Sequence, residues 1–274
     1  MRYRVFAVDI DNTLVSGLAG VSEGNRQALA RAEEAGCRVV ICTGRGRFTT
    51  RPVVEELGTV RGPHILFNGG ATFASLDAHP DEVLLLPRPS VAQCLEIAAP
   101  LALGVSGFED PRDGDLVYLA RPTEGLRRWA EFNRDRTQWV DSTDDILARD
   151  LVALLFWGEE QEVQRLEGML GHPPGLTSPR LGASRLLESH LIELSATGGT
   201  KGEALARLAR RLEVPRSAVV AMGDARPDMS MIEYAGLGVA VGNAVEEVKG
   251  IADYVAPPVD EDAVAHVVER FVLA

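Results

Sequence analysis

The chain has 274 residues, 46% hydrophobic and 25% charged, a globular composition that excludes a disordered protein and allows one large α/β domain or a core carrying a second domain. Its net charge of −12 offers no general attraction for a polyanion, and no Lys/Arg run with interleaved aromatics is present, which argues against a nucleic-acid partner. Its apolar runs fall short of the roughly 20 residues that a membrane span needs, and Cys37, Cys42 and Cys94 lack the C-x-x-C spacing of a thiolate site, a pattern that fits a reducing cytoplasm.

In chain order, residues 4–8 read as a buried strand, and Ser22 to Ala35 as a helix with an N-cap serine, apolar residues at helical spacing and Gly36 behind it. Val39 to Cys42 is a second buried strand, followed by a polar loop, a helix near Thr50 to Leu57 and a strand at His64 to Phe67. This order, βαβαβ, predicts a parallel sheet. In the middle stretch, Val83–Leu86, Leu116–Leu119 and Leu151–Trp157 are strand-like, with helices near Ser90–Ala99, Thr123–Arg134 and Glu160–Leu170, the pattern of an α+β insert. The opening pattern then returns with a helix from Lys201 to Leu212, a strand from Ala218 to Met222, a helix near Met229 to Ala235 and a strand from Gly238 to Val241. The expected organisation is a core of residues 1–80 and 190–274 around an inserted domain of residues 81–189.

The chemistry concentrates at predicted strand ends, where open α/β sheets bind ligands. Asp9 and Asp11 follow the first strand, and side chains two apart can project to the same side. A divalent cation would offset their repulsion and screen a phosphate dianion, leaving Asp9 to attack phosphorus and Asp11 to act as general acid and base. The same segment reads equally well as an Asp/Asn-rich surface turn. A second acidic pair, Asp224 and Asp228, follows the strand that ends at Met222. It suits Mg²⁺, with Asp224 as direct ligand and Asp228 as ligand through water. No EF-hand loop is present, which disfavours calcium.

Thr43 and Gly44, after the second strand, offer a hydroxyl and backbone amides to phosphoryl oxygens, or else form a simple turn. Lys201 stands at a helix start in a chain whose only other lysine is Lys249. A compact ammonium there suits a bridge between Asp9 and phosphoryl oxygen, the alternative being a solvated helix-start lysine. Gly202 after it excludes a Walker-type loop, which needs Ser or Thr. Arg45 and Arg47 are candidates to touch substrate, or are ordinary exposed arginines. For the five histidines, none in a metal-ligand spacing, solvated or hydrogen-bonded core positions are expected.

Together, Asp9-x-Asp11-x-Thr13, Thr43, Lys201 and Gly223-Asp224-x-x-x-Asp228 resemble, in order, the four signature motifs of haloacid dehalogenase-like phosphatases. The resemblance implies a doubly wound parallel-sheet core, an aspartyl-phosphate intermediate, and Mg²⁺ held by Asp9, the Asp11 carbonyl and Asp224. More than half of the chain lies between Thr43 and Lys201, which looks like the Cof-type, class IIB arrangement with an inserted α+β cap of the C2B type. Many such relatives hydrolyse sugar phosphates or other small phosphomonoesters.

Asn68-Gly69-Gly70 and Gly242-Asn243-Ala244 are similar to further loops of that subgroup that approach the site, with Asn68 as a substrate or phosphate contact; both also read as plain turns. Pro227 departs from the pattern, since relatives often carry Asn there, and a residue without side-chain hydrogen bonds implies weaker outer support for metal or phosphate. The expected function is a Mg²⁺-dependent phosphomonoesterase for a small phosphorylated metabolite, acting without nucleic acid or membrane. The alternatives are a phosphomutase or phosphotransferase, and a catalytically idle phospho-ligand-binding protein.

Overall fold

The computed structural model describes residues 2–17, 19–177, 180–184 and 187–274. They form two compact units, Met1–Glu82 with Thr200–Ala274, and Val83–Gly199. None of the described helices is long and apolar enough to cross a membrane.

The first unit opens with β1 (Val5–Val8), α1 (Glu23–Glu34), β2 (Arg38–Ile41), α2 (Arg47–Leu57), β3 (His64–Leu66), β4 (Ala71–Phe73) and β5 (Glu82–Val83). Ser22 caps α1 by accepting from the Asn25 amide, as its place before the apolar repeat predicts. One expectation needs adjustment. β3 continues the parallel order by a single bridge, Cys42 to Ile65, and otherwise pairs antiparallel with β4. A three-residue strand followed by a tight turn has length for little more.

The second unit contains α3 (Arg88–Ala98), β6 (Gly104–Glu109), β7 (Val117–Ala120), α4 (Glu124–Phe132), β8 (Thr137–Trp139), α5 (Thr143–Leu147), β9 (Leu151–Gly158), α6 (Glu160–Leu170), β10 (Arg180–Ser184) and β11 (Ser189–Leu194). Its sheet runs β10-β11-β9-β6-β7-β8, antiparallel except at β7-β8. Alternate residues of β9 face opposite layers: Leu154 and Phe156 pack with Val91, Leu95, Val163 and Leu166, while Leu155 and Trp157 pack with Leu126 and Ala130. The segment 190–199 goes with this unit because β11 pairs with β9.

The chain returns to the first unit through α7 (Lys201–Arg211), β12 (Val219–Gly223), α8 (Met229–Tyr234), β13 (Leu237–Ala240), α9 (Glu246–Ile251), β14 (Tyr254–Val255) and α10 (Ala263–Val267). The sheet order is β14-β13-β12-β1-β2, every pair parallel. Phe6 and Val8 pack against Ala28, Leu29 and Val264 on one face, and Val5 and Ala7 against Leu205, Leu208 and Met231 on the other. Burial on both faces explains why these strands read as continuous apolar runs rather than alternating ones. It also makes the sheet doubly wound, with the carboxyl ends of β1, β2 and β12 at one rim.

Candidate active site

Asp9 continues β1 by one residue, its amide donating to the Met222 carbonyl at 3.1 Å. At 6% exposure its carboxylate is almost out of solvent, and Thr43, Lys201, Asp224 and Asp228 are each exposed by 9% or less. The Lys201 ammonium donates to Asp9 Oδ1 at 2.7 Å and to Asp228 Oδ1 at 2.5 Å. Asp228 Oδ2 accepts from the Asp224 and Ala225 amides, each at 3.0 Å. Asp224 Oδ1 in turn accepts from the Thr13 hydroxyl at 3.0 Å. One oxygen each from Asp9, Asp224 and Asp228 lies within 4.8 Å of the other two.

Local sequence explains how these groups reach one place. Thr200 and Glu203 form a reciprocal capping box that starts α7, so Lys201 is its first residue. A Cβ on Gly202 would run into the Ser230 carbonyl oxygen. The residue that rules out a Walker loop therefore lets the start of α7 close onto α8. Arg226–Asp228 is a 3-10 turn with Pro227 inside it, and the fixed φ of proline suits the bend that returns Asp228 to the Asp224 amide.

Thr43 donates its amide to the Ile65 carbonyl at 2.9 Å and accepts from the Arg45 amide at 3.2 Å through its hydroxyl. Asn68 sits across this loop in a left-handed conformation, φ 52°, its amide donating to the Thr43 carbonyl at 3.0 Å. A Cβ on Gly44 would come within 2.9 Å of the Asn68 side-chain nitrogen, so a larger residue there would have to push that amide away from Thr43. The Asn243 side chain braces the first loop instead, donating to the Asn12 carbonyl at 2.8 Å and accepting from the Val259 amide at 2.8 Å.

The electrostatics follow from three buried carboxylates beside one ammonium. Burial works against the charged form of Lys201, but Asp228 and Asp9 outweigh it and hold the ammonium well above its usual range. Burial raises the Asp9 carboxyl well above the usual range despite Lys201, and Asp228, Asp11 and Asp224 add to the effect. Burial and then Asp228 push Asp224 up to about 7, against the Thr13 hydrogen bond and Lys201. The cluster is thus short of positive charge, and its hard oxygen donors fit a divalent cation of the Mg²⁺ type.

Asp11 behaves differently. Its side chain is 54% exposed and paired with Arg45, which donates from Nε to Oδ2 at 2.9 Å and from Nη2 to Oδ1 at 2.5 Å. Neither this pair nor the Thr13–Asp224 bond was foreseen, because contacts across 34 and 211 positions leave no local pattern. Arg47 faces elsewhere, donating to the Ala78 carbonyl at 3.3 Å with its guanidinium over the Phe73 ring. His64 departs from the expectation of a solvated or bonded histidine: it is fully buried, and neither ring nitrogen has a hydrogen-bond partner among the described residues.

Known proteins agree with this architecture. A family model described as haloacid dehalogenase-like hydrolase matches residues 6–268. The chain is 30% identical to the phosphatase YwpJ of Bacillus subtilis, covering 97% of this chain and 99% of the relative. It is 27% identical to YwtE of the same organism, a 5-amino-6-(5-phospho-D-ribitylamino)uracil phosphatase, with 97% of each chain covered. A solved haloacid dehalogenase-like hydrolase from Bacillus subtilis shares the fold with a TM-score of 0.83 at 26% identity, covering 98% of this chain and 99% of that one.

Proposed function

The chain belongs to the haloacid dehalogenase-like hydrolase family and is a phosphatase of that family, and we propose that it releases phosphate from a small phosphomonoester in two steps through Asp9. In the first step, a carboxylate oxygen of Asp9 forms a bond to phosphorus as the bond to the substrate's ester oxygen breaks, giving an aspartyl phosphate. Asp11 gives a proton to the departing oxygen. In the second, Asp11 takes a proton from water as that water attacks phosphorus, which frees Asp9 and inorganic phosphate. The Lys201 ammonium, already against Asp9, and the Thr43 hydroxyl with the Gly44 amide hold phosphoryl oxygens, and Asn68 borders that loop.

Asp9, the Asp11 carbonyl and Asp224 would hold Mg²⁺, with Asp228 acting through water, and the cation would neutralise carboxylate and phosphoryl charge when bound. Both oxygens of Asp228 already accept from Lys201 or backbone amides, which favours that less direct role.

The observation that carries this reading is the single buried ammonium bridging Asp9 and Asp228 at the sheet rim, with Asp224 in the same cluster. Substrate class rests on chemistry and on the relatives. The name of YwtE specifies a phosphate on a ribityl chain, so sugar and polyol phosphates are the first candidates. The test is phosphate release from p-nitrophenyl phosphate and a panel of sugar and polyol phosphates with Mg²⁺. We expect Asp9→Asn to lower release by at least about 10³-fold with folding intact, and hydroxylamine to trap an acyl phosphate on the native chain. Undiminished turnover in Asp9→Asn would refute the role of Asp9.

A further inference from the structure

We propose that Arg45 is the positioning residue for Asp11, fixing the carboxyl group that exchanges the proton with the leaving oxygen. The inference rests on the reading of Asp11 as proton carrier. Asp11 lies beyond the end of β1, more than half exposed, where an aspartate would ordinarily be free to change rotamer. Proton transfer requires placement within hydrogen-bond reach of one substrate atom. Arg45 supplies that restraint by gripping both oxygens of the ionised carboxylate in a fork-to-fork geometry that a single ammonium cannot reproduce, which leaves the remaining lone pairs of those oxygens to take up and release the proton.

Arg45 is itself held from three sides. Its remaining nitrogen, Nη1, donates to the Thr49 carbonyl at 3.2 Å, its amide donates to the Thr43 hydroxyl, and its carbonyl accepts from the Phe67 amide at 3.2 Å. Asp11 is therefore referenced to Thr43, the proposed phosphate contact, through one short rigid path. Fold stability does not require the arrangement, since the Asp11 carboxylate is more than half exposed and water could solvate it instead. Nor is Arg45 available to substrate while its guanidinium serves Asp11 and Thr49, which separates this role from the substrate contact expected of the sequence.

The test uses kcat/KM, which covers steps up to leaving-group departure. p-Nitrophenyl phosphate has a leaving group that departs without protonation, and ribose 5-phosphate has one that needs it. Arg45→Ala should lower kcat/KM by about 30- to 100-fold for ribose 5-phosphate and by less than about fivefold for p-nitrophenyl phosphate. Arg45→Lys should not restore the lost rate. In an Asp11→Asn background, Arg45→Ala should change kcat/KM for ribose 5-phosphate by less than about threefold, because the group being positioned is gone. Equal losses on both substrates, or full additivity with Asp11→Asn, would overturn the proposal. An Asp11→Asn variant with native activity on ribose 5-phosphate would instead remove the underlying assignment of Asp11. Melting temperatures within about 2 °C of native are expected for both Arg45 variants and exclude loss of fold as the cause.

Discussion

Asp9 in the first unit and Asp110 in the second are both buried carboxylates, at 6% and 4% exposure, yet their partners differ in kind. Asp110 is satisfied by Arg112 two positions on, which donates its amide to Oδ1 at 2.9 Å and places Nε and Nη2 on the same carboxylate. That bond forms wherever the local turn forms. Asp9 meets an ammonium 192 positions away, and the cluster around it draws on the ends of β1 and β12 and the start of α7. It exists only once the sheet is complete, and it leaves more carboxylates than cations. Fold stability alone would not select such a cluster, because burying unbalanced charge is costly; the phosphoryl and cation binding proposed above would.

Removing Lys201 is the severest test of this contrast. Lys201→Met leaves Asp9 and Asp228 buried without their ammonium, and we expect a loss of about 3–5 kcal/mol in denaturant unfolding, with activity abolished. A loss below about 1 kcal/mol would mean that water, rather than Lys201, compensates these carboxylates, and the long-range cluster would then cost no more than the local pair.

His64 sharpens the contrast from inside the first unit, as a buried titratable group without a hydrogen-bond partner among the described residues. Burial lowers its pKa from 6.5 to about 4, so it is neutral in the fold. The unfolded chain takes up its proton first as pH falls. Stability from this group is therefore fully present above pH 6.5 and lost between about 6.5 and 4, by about 3 kcal/mol in all. Unfolding free energies measured across pH 6.5 to 4.5 should fall more steeply for the native chain than for His64→Leu. Equal slopes would show that the imidazole finds a partner, as Asp9 and Asp110 do.

These cases also show what a sequence discloses. The strands β1, β2, β12 and β9 were legible because burial on both faces writes an unbroken apolar run, and Lys201 was legible as a helix start because a Gly-Gly-Thr stretch precedes it and helical spacing follows it. β6 was not, since Gly104 and Gly107 interrupt its apolar pattern so that Leu126 and Ile146 can pack close. β11 was missed because Ser189, His190 and Glu193 interleave with its apolar residues, and its place is set by pairing with β9. The motif carboxylates could be found by strand-end position. The Arg45–Asp11 grip could not, because it depends on where two loops from different strands come to lie, just as the isolation of His64 depends on what does not reach it.

The smallest expected effect lies at Asp110. Asp110→Asn keeps the shape and one accepting oxygen but removes the charge that holds Arg112, whose side chain is 51% exposed and can return to water. Because nothing buried is left without a partner but one amide group, we expect a loss of about 1–2 kcal/mol. It should appear as faster hydrogen exchange confined to the turn between β6 and β7, where the Arg112 and Asp113 amides donate to Asp110. Phosphate release should remain at the native rate. If exchange instead accelerated across the sheet of the second unit, Asp110 would be organising more than its own turn, and the distinction between a locally satisfied carboxylate and one assembled across the chain would fail on the side where it looks simplest.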